Sequence, residues 1–194
     1  GSAIDSYKKA LKIKPDYFEA YNGMGNALYA KGDLEAAIDS YKQAVNINPD
    51  HADAYYNRGH VLVEKGALDA GIKSYEMALK IKPDHQAARA GKLRQHSYMC
   101  DWAALEQDRH LIATLGTSTE SIDPFGFLSF EDAPERHRVR SEAFTKKLYG
   151  YKTPLPPAVR PSQKPQRLRI GYFSADFYEH PVAYLMAKVL ETHD

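Results

Sequence analysis

Along the first hundred residues, apolar side chains recur at three- and four-residue steps, and short polar turns interrupt them at regular intervals. Tyr21, Met24, Gly25 and Leu28 precede Lys31-Gly32-Asp33, and Tyr55, Gly59 and Leu62 precede Lys65-Gly66-Ala67. Such spacing predicts helices with one buried stripe, each closed by a glycine-containing turn. A longer period overlies the helical one. Pro15-Asp16, Pro49-Asp50 and Pro83-Asp84 recur every 34 residues. Ala3-Ile4-Asp5-Ser6-Tyr7, Ala37-Ile38-Asp39-Ser40-Tyr41 and Gly71-Ile72-Lys73-Ser74-Tyr75 keep that register, as do Ala10, Ala44 and Ala78. Two helices per period follow, the prolines stopping the second and setting the turn into the next unit.

The residue types suit close helix packing. Gly25 and Gly59 remove side chains where the two helices of a unit approach, Ala44 and Ala78 do so between units, and Tyr41 and Tyr75 fill the wedge between layers. This pattern resembles the tetratricopeptide repeat. Residues 3–16 then form the second helix of a truncated unit, 17–50 and 51–84 are complete units, and 85–99 begin another, so the repeat region runs over 3–99. The resemblance implies a concave groove lined by the first helix of each unit, with Asn22, Asn26 and Tyr29, then Tyr56, Asn57 and His60, facing it. Amides and phenols suit an extended peptide, whose backbone donors and acceptors they satisfy without demanding one side-chain sequence. The plainer alternative is a solvated polar surface.

After the repeats the pattern changes. Gln86 to Met99 stays helical, but Arg89 and Lys92 replace a Tyr and a Met or Arg of the earlier units. Residues 100–149 read as transition helices. One starts at Cys100-Asp101-Trp102, with Asp101 as cap, with Trp102, Leu105, Leu111, Ile112 and Leu115 as its buried face, and with Gly116 to Thr119 ending it. The aromatic stretch Asp123 to Phe130 follows, then a helix from about Ala133 to Tyr149 whose run Arg136-His137-Arg138-Val139-Arg140 reads as a solvated basic face. Residues 150–167 form a connector holding Pro154, Pro156, Pro157, Pro161 and Pro165. From 168 to 194 the chain reads as one strand, Leu168 to Phe173, a polar turn, and a helix begun by Pro181. The fold class is therefore mainly α: a helical-repeat solenoid, transition helices, and the first βα unit of an incomplete Rossmann-like domain.

Composition narrows the function classes. The 26 Lys and Arg residues nearly balance 25 Asp and Glu, which argues against nucleic acid or an anionic membrane as partner. No apolar run approaches the roughly 18 residues of a membrane span. The single cysteine, Cys100, fits a reducing, cytoplasmic setting. The eight histidines show no metal-ligand spacing and no Gly-rich phosphate loop is present, so neither metal nor cofactor is expected. Ser174 lacks the partners of a nucleophile. Gly1-Ser2, the truncated first unit and the lone strand read as the marks of a piece of a longer protein.

Taken in order, the repeats, the Cys100-Asp101-Trp102 transition, Asp123-Pro124-Phe125 and the motif Asp176-Phe177-x-x-His180-Pro181-x-x-x-Leu185-Met186 resemble the tetratricopeptide-containing O-linked N-acetylglucosamine transferases of glycosyltransferase family 41, in a bacterial form. The resemblance implies inverting transfer of a sugar from a UDP-sugar donor, a substrate and not a cofactor, to Ser or Thr of a protein held by the repeats. It implies a general-base or orienting role for His180, at a helix start that favours the donor's negative charge. Asp176 and Pro181 take structural roles in that motif, Asp176 capping the turn. Asn57 matches the family's groove asparagines, whereas Gly23 and Gly91 stand where Asn is expected and Asn22 is displaced by one residue.

Two readings follow. The parent protein is a protein glycosyltransferase, of which these residues bind acceptor without turnover because the half that holds the donor lies beyond them. Alternatively, the chain is a non-catalytic tetratricopeptide scaffold that recruits protein partners.

Overall fold

The computed structural model describes residues 3–117 and 121–150, with no side-chain description at Tyr149. By contacts the chain divides into residues 1–152 and 153–194. The strand expected at 168–173, and His180, Asp176 and Pro181 with it, lie outside the described residues.

The described residues of the first unit form helices joined by turns and loops. Its α-helices are α1 (Ala3–Ile13), α2 (Phe18–Ala30), α3 (Leu34–Ile47), α4 (Ala52–Glu64), α5 (Leu68–Ile81), α6 (Gln86–Tyr98), α7 (Trp102–Asp108) and α8 (Pro134–Tyr149), with 3-10 segments at Arg109–Thr114 and Phe125–Phe127. Among the described residues there is no strand. Each of α2 to α5 packs on the next in sequence, as expected for a stack of helical hairpins.

Small residues set the spacing between helices, as the sequence predicts. A Cβ added to Gly25 would stand 2.5 Å from Tyr41 Cε1, and one added to Gly59 would stand 2.9 Å from Tyr75 Cδ1. Those are closer than carbon atoms approach, so α2 meets α3, and α4 meets α5, only because these positions lack side chains. Ala37, Ala44 and Ala78 are fully buried, and Tyr41 and Tyr75 are buried beside them. The tyrosine rings fill the wedge, and the Tyr41 hydroxyl donates to Asn26 Oδ1 at 2.7 Å.

The repeat continues further than the sequence reading allows. Asp101 stands two periods after Asp33, and each caps its helix by accepting a backbone N–H, from Ala104 and Ala36 respectively. Gly32 and Gly66 hold left-handed backbone at φ 84° and 88°, and Cys100, one period on, holds φ 56°. Helix α7 is thus the second helix of a third unit. It lasts only from Trp102 to Asp108 before tightening into the 3-10 segment. The wedge-filling Tyr41 and Tyr75 are replaced there by exposed Arg109, and Ser40 and Ser74 by Asp108. Buried Asp108 receives Arg89 Nη1 at 3.1 Å and Lys92 Nζ at 2.9 Å. This ion cluster joins α6 to α7 where earlier units use aromatic packing, and it accounts for the two basic substitutions in α6.

Two expectations are corrected. Trp102 does not anchor a core, being 66% exposed. It takes the place of Leu34 and Leu68, the first residue after the cap, which is only partly buried in the earlier units. The core side is filled instead by Ile112 and Leu115, with Leu105 packed against them. The basic run of α8 is also not a uniformly solvated face. Arg136 and Arg138 are exposed, but Arg140 is fully buried. Its Nε donates to Leu115 O and its Nη2 to Ile112 O, both at 2.7 Å. Its Nη1 donates to Glu131 Oε1 at 2.6 Å, and its guanidinium lies 4.5 Å from the Phe127 ring centre. The carbonyls that close the 3-10 segment thereby find donors where no helix continues. Burial pushes the Glu131 carboxyl up, but the hydrogen bonds and charges of Arg136 and Arg140 outweigh it and leave it below its ordinary range.

Candidate functional site

The inner faces of α2, α4 and α6 line two adjoining cavities of about 500 and 530 Å³. The first is bordered by Asn22, Asn26, Tyr56, Asn57 and His85; the second by Tyr56, His60, Glu64, Arg94 and Gln95. Ser121 and Lys147 border both. Of the six groove-facing residues expected from the sequence, Asn22, Asn26, Tyr56, Asn57 and His60 border these cavities, whereas Tyr29 borders neither and meets the surface only through its contact with His60. A further depression of about 480 Å³ lies between the α5–α6 turn and Leu111–Thr117 and includes none of them.

The repeat spacing positions these side chains. Asn26, His60 and Arg94 are 34 residues apart and form one column, one residue per unit. Asn57 Nδ2 donates to Asn22 Oδ1 at 3.1 Å, tying α4 to α2 and leaving the Asn22 amide donors and the Asn57 carbonyl facing the groove. Gly23 and Gly91, which stand in register with Asn57, are held to glycine by packing. An added Cβ would meet Tyr7 at 2.5 Å or Tyr75 at 2.8 Å.

Rings occupy the middle of the groove. Tyr29 meets His60 edge to face at 5.5 Å, and Tyr56 lies 6.3 Å from His60 and 5.1 Å from His85. The Tyr29 hydroxyl donates to Glu64 Oε2 at 2.6 Å. That bond, with burial and the Glu64 charge, pushes the Tyr29 phenol up to about 12. The crowding around His60 disfavours its charged form and holds its pKa below the ordinary value, Arg94 adding to that effect and Glu64 opposing it. A neutral imidazole is thus presented to the groove near neutrality.

His85 is buried and built into the wall. Its Nδ1 accepts from Ala88 N at 3.3 Å to cap α6, and His51 Nδ1 caps α4 in the same way from Ala54 N at 3.2 Å. Accepting at Nδ1 leaves the proton on Nε2, which stands 3.2 Å from Asp53 Oδ1, in ionic reach without hydrogen-bond alignment. Two of the residues lining the second cavity carry buried polar atoms with no hydrogen-bond partner among the described residues, Gln95 Oε1 and Ser121 Oγ. Arg94, Gln95, Glu64 and His85 were absent from the expected set. The 34-residue step from Asn26 through His60 marks Arg94, whereas Gln95 and Glu64 carry no such signal.

Chemically the surface offers amide donors and acceptors, aromatic rings and a guanidinium. No group of three or more potential metal-ligating side chains occurs among the described residues. No described helix is long and apolar enough to cross a membrane.

Comparison with known proteins agrees with the repeat period. Family models described as TPR repeat match residues 1–32 and 25–66, and one described as Tetratricopeptide repeat matches residues 52–85. No curated protein matches the chain. Among solved structures, YrrB, a TPR protein described as having an unusual peptide-binding site, superposes with a TM-score of 0.56 at 20% identity, over 76% of this chain and 77% of its own. MamA gives a TM-score of 0.49 at 25% identity, over 72% of this chain and 69% of its own. The likeness to YrrB is one of fold. Helical hairpins of 34 residues, glycine and alanine at the close approaches, and the family-model matches agree on tetratricopeptide repeats up to residue 85.

Proposed function

We propose that the inner face of α2, α4 and α6 binds an extended segment of a partner protein, so that the chain acts as a protein-interaction module. The observation that carries this reading is the Asn22–Asn57 bridge, two half-buried amides paired across neighbouring helices and bordering an open cavity with unused donors and an unused carbonyl. Side chains whose only task was solubility would not be paired in this way on a concave surface. Replacing both, as Asn22→Ala/Asn57→Ala, is expected to weaken binding of an array-selected peptide about tenfold while the helical circular dichroism is kept. Unchanged affinity would sink the reading.

A second reading has one observation in its favour, the motif from Asp176 to Met186. On it, the repeats present a protein acceptor to a UDP-sugar transfer site in the longer protein, with His180 receiving or orienting the proton of the acceptor hydroxyl. The exposed Cys100 thiol suits the reducing cytoplasm in which such a protein would work. Sugar incorporation into a bound protein acceptor, measured on the longer protein with and without His180→Ala, tests it. Turnover should fall more than donor affinity, and equal turnover would remove His180 from the chemistry.

A further inference from the structure

The column formed by Asn26, His60 and Arg94 changes character along its length, from amide to neutral imidazole to guanidinium. Arg94 is the exceptional member. It is partly buried, yet among the described residues it makes no hydrogen bond and no ion pair. It is held between α4 and the 3-10 segment Phe125–Phe127: its charge is felt at His60, and its Nε lies 3.3 Å from where a Cβ on Gly126 would stand. The two carboxylates bordering the cavity are engaged elsewhere. Glu64 accepts from Tyr29, and Asp123 accepts from Phe125 N at 3.1 Å to hold its own turn. Lys147, on the opposite border, is likewise unpaired among the described residues.

Next to Arg94 in the chain is a group with the opposite need. Gln95 is 3% exposed and its buried Oε1 has no donor among the described residues, so Arg94 supplies the accessible donors on this part of the cavity of about 530 Å³. An acceptor buried without a donor is costly, and a guanidinium shielded from water gains most from a carboxylate that meets its fork of N–H groups. A peptide residue with an acidic side chain supplies the complement of Arg94, its carboxylate.

Resting on the reading of this face as a peptide groove, we infer that its α6 end selects an Asp or Glu side chain of the bound segment, with Arg94 as the specificity-determining residue. Because Arg94 is flanked on both sides, by α4 and by Gly126, it meets the middle of a segment. A side-chain carboxylate, not a chain terminus, is its ligand.

The test uses the 194-residue protein and an array of random dodecapeptides, acetylated and amidated so that only side chains carry carboxylates. Retained peptides should be enriched in Asp or Glu at one position. Exchange of that residue for Asn or Gln should weaken binding tenfold or more, by about the worth of one charge-assisted hydrogen bond. Arg94→Gln should erase the difference between acidic and amide peptides. Arg94→Lys should restore part of the difference. Asn22→Ala/Asn57→Ala should instead weaken both peptides alike. The inference is overturned if acid and amide peptides bind equally, if Arg94→Gln weakens both to the same degree, or if binding needs a free C-terminus. In each of those outcomes the groove itself still binds. If the array retains nothing, the groove reading falls and this inference with it.

Discussion

The repeat helices and the segment that follows them solve the same packing problem with opposite chemistry. From α2 to α5 the contacts are made by absent or minimal side chains, Gly25, Gly59, Ala44 and Ala78, with Tyr41 and Tyr75 filling what remains. After α6 the structure is organised around buried charge, Asp108 between Arg89 and Lys92, and Arg140 between Glu131 and two backbone carbonyls. A repeated hairpin can reuse one tight interface because both of its faces recur. Among the described residues no further unit covers α7, the chain closes it with irregular backbone, and irregular backbone leaves carbonyls that need donors. Arg140 donates to two of them, Leu115 O and Ile112 O, and to the Glu131 carboxylate.

That contrast can be broken most forcefully at Arg140. Arg140→Ala leaves Glu131 and the carbonyls of Leu115 and Ile112 short of donors, and should cost about 3–5 kcal/mol. Hydrogen exchange should show protection lost in α8 and Arg109–Thr114 while α2 to α5 keep theirs. Equal loss in the repeat helices would mean that the two regions unfold as one. The matching lesion on the repeat side is Gly25→Ala, which drives a methyl into the Tyr41 ring and should cost about 1–3 kcal/mol, read as a lower denaturant midpoint with the slope unchanged.

At the junction the expected change is a gain. Cys100 holds the left-handed backbone that Gly32 and Gly66 hold in the earlier units, so Cys100→Gly should stabilise by about 1 kcal/mol. A destabilised variant would show that the thiol contributes more than the strain costs.

The smallest effect sharpens the account of the tyrosine wedge. Tyr41→Phe loses the hydrogen bond to Asn26 and should cost about 0.5–1 kcal/mol near neutral pH. Burial, with the nearby Tyr29, pushes the Tyr41 phenol up to about 12 from an unfolded value of 10.0, so the fold favours its protonated form. Its contribution is complete below pH 10 and is lost as pH rises from about 10 to 12. The variant's stability should therefore fall less steeply over that window than that of the natural chain, as alkaline denaturation curves would show.

How far the sequence could be read follows from the same contrast. A 34-residue period, once found, assigns every position of a unit to a face, and of the six inner-face residues it marks, Asn22, Asn26, Tyr56, Asn57 and His60 border the two adjoining cavities while Tyr29 does not. Asp101 was read as a cap and is one, and the same arithmetic carried one step further would have marked Arg94 as a groove residue. Trp102 and Arg140 were misread because rules about residue type, aromatic inside and charged outside, stand in for contacts that the period does not specify.

The sequence by itself determined the helices, their hairpin pairing, the close approaches at Gly25 and Gly59 and the inner face of the array. All of these depend on neighbours at fixed offsets along one chain. Only the tertiary structure decided which polar groups are spent and which are left over. Asn26 is drawn to Tyr41, Glu64 to Tyr29 and Arg140 to Ile112 and Leu115, while Arg94 borders the groove without a hydrogen bond among the described residues. Hydrogen bonding is a matter of distance and direction between residues far apart in sequence, and a linear pattern cannot state which donor reaches which acceptor first.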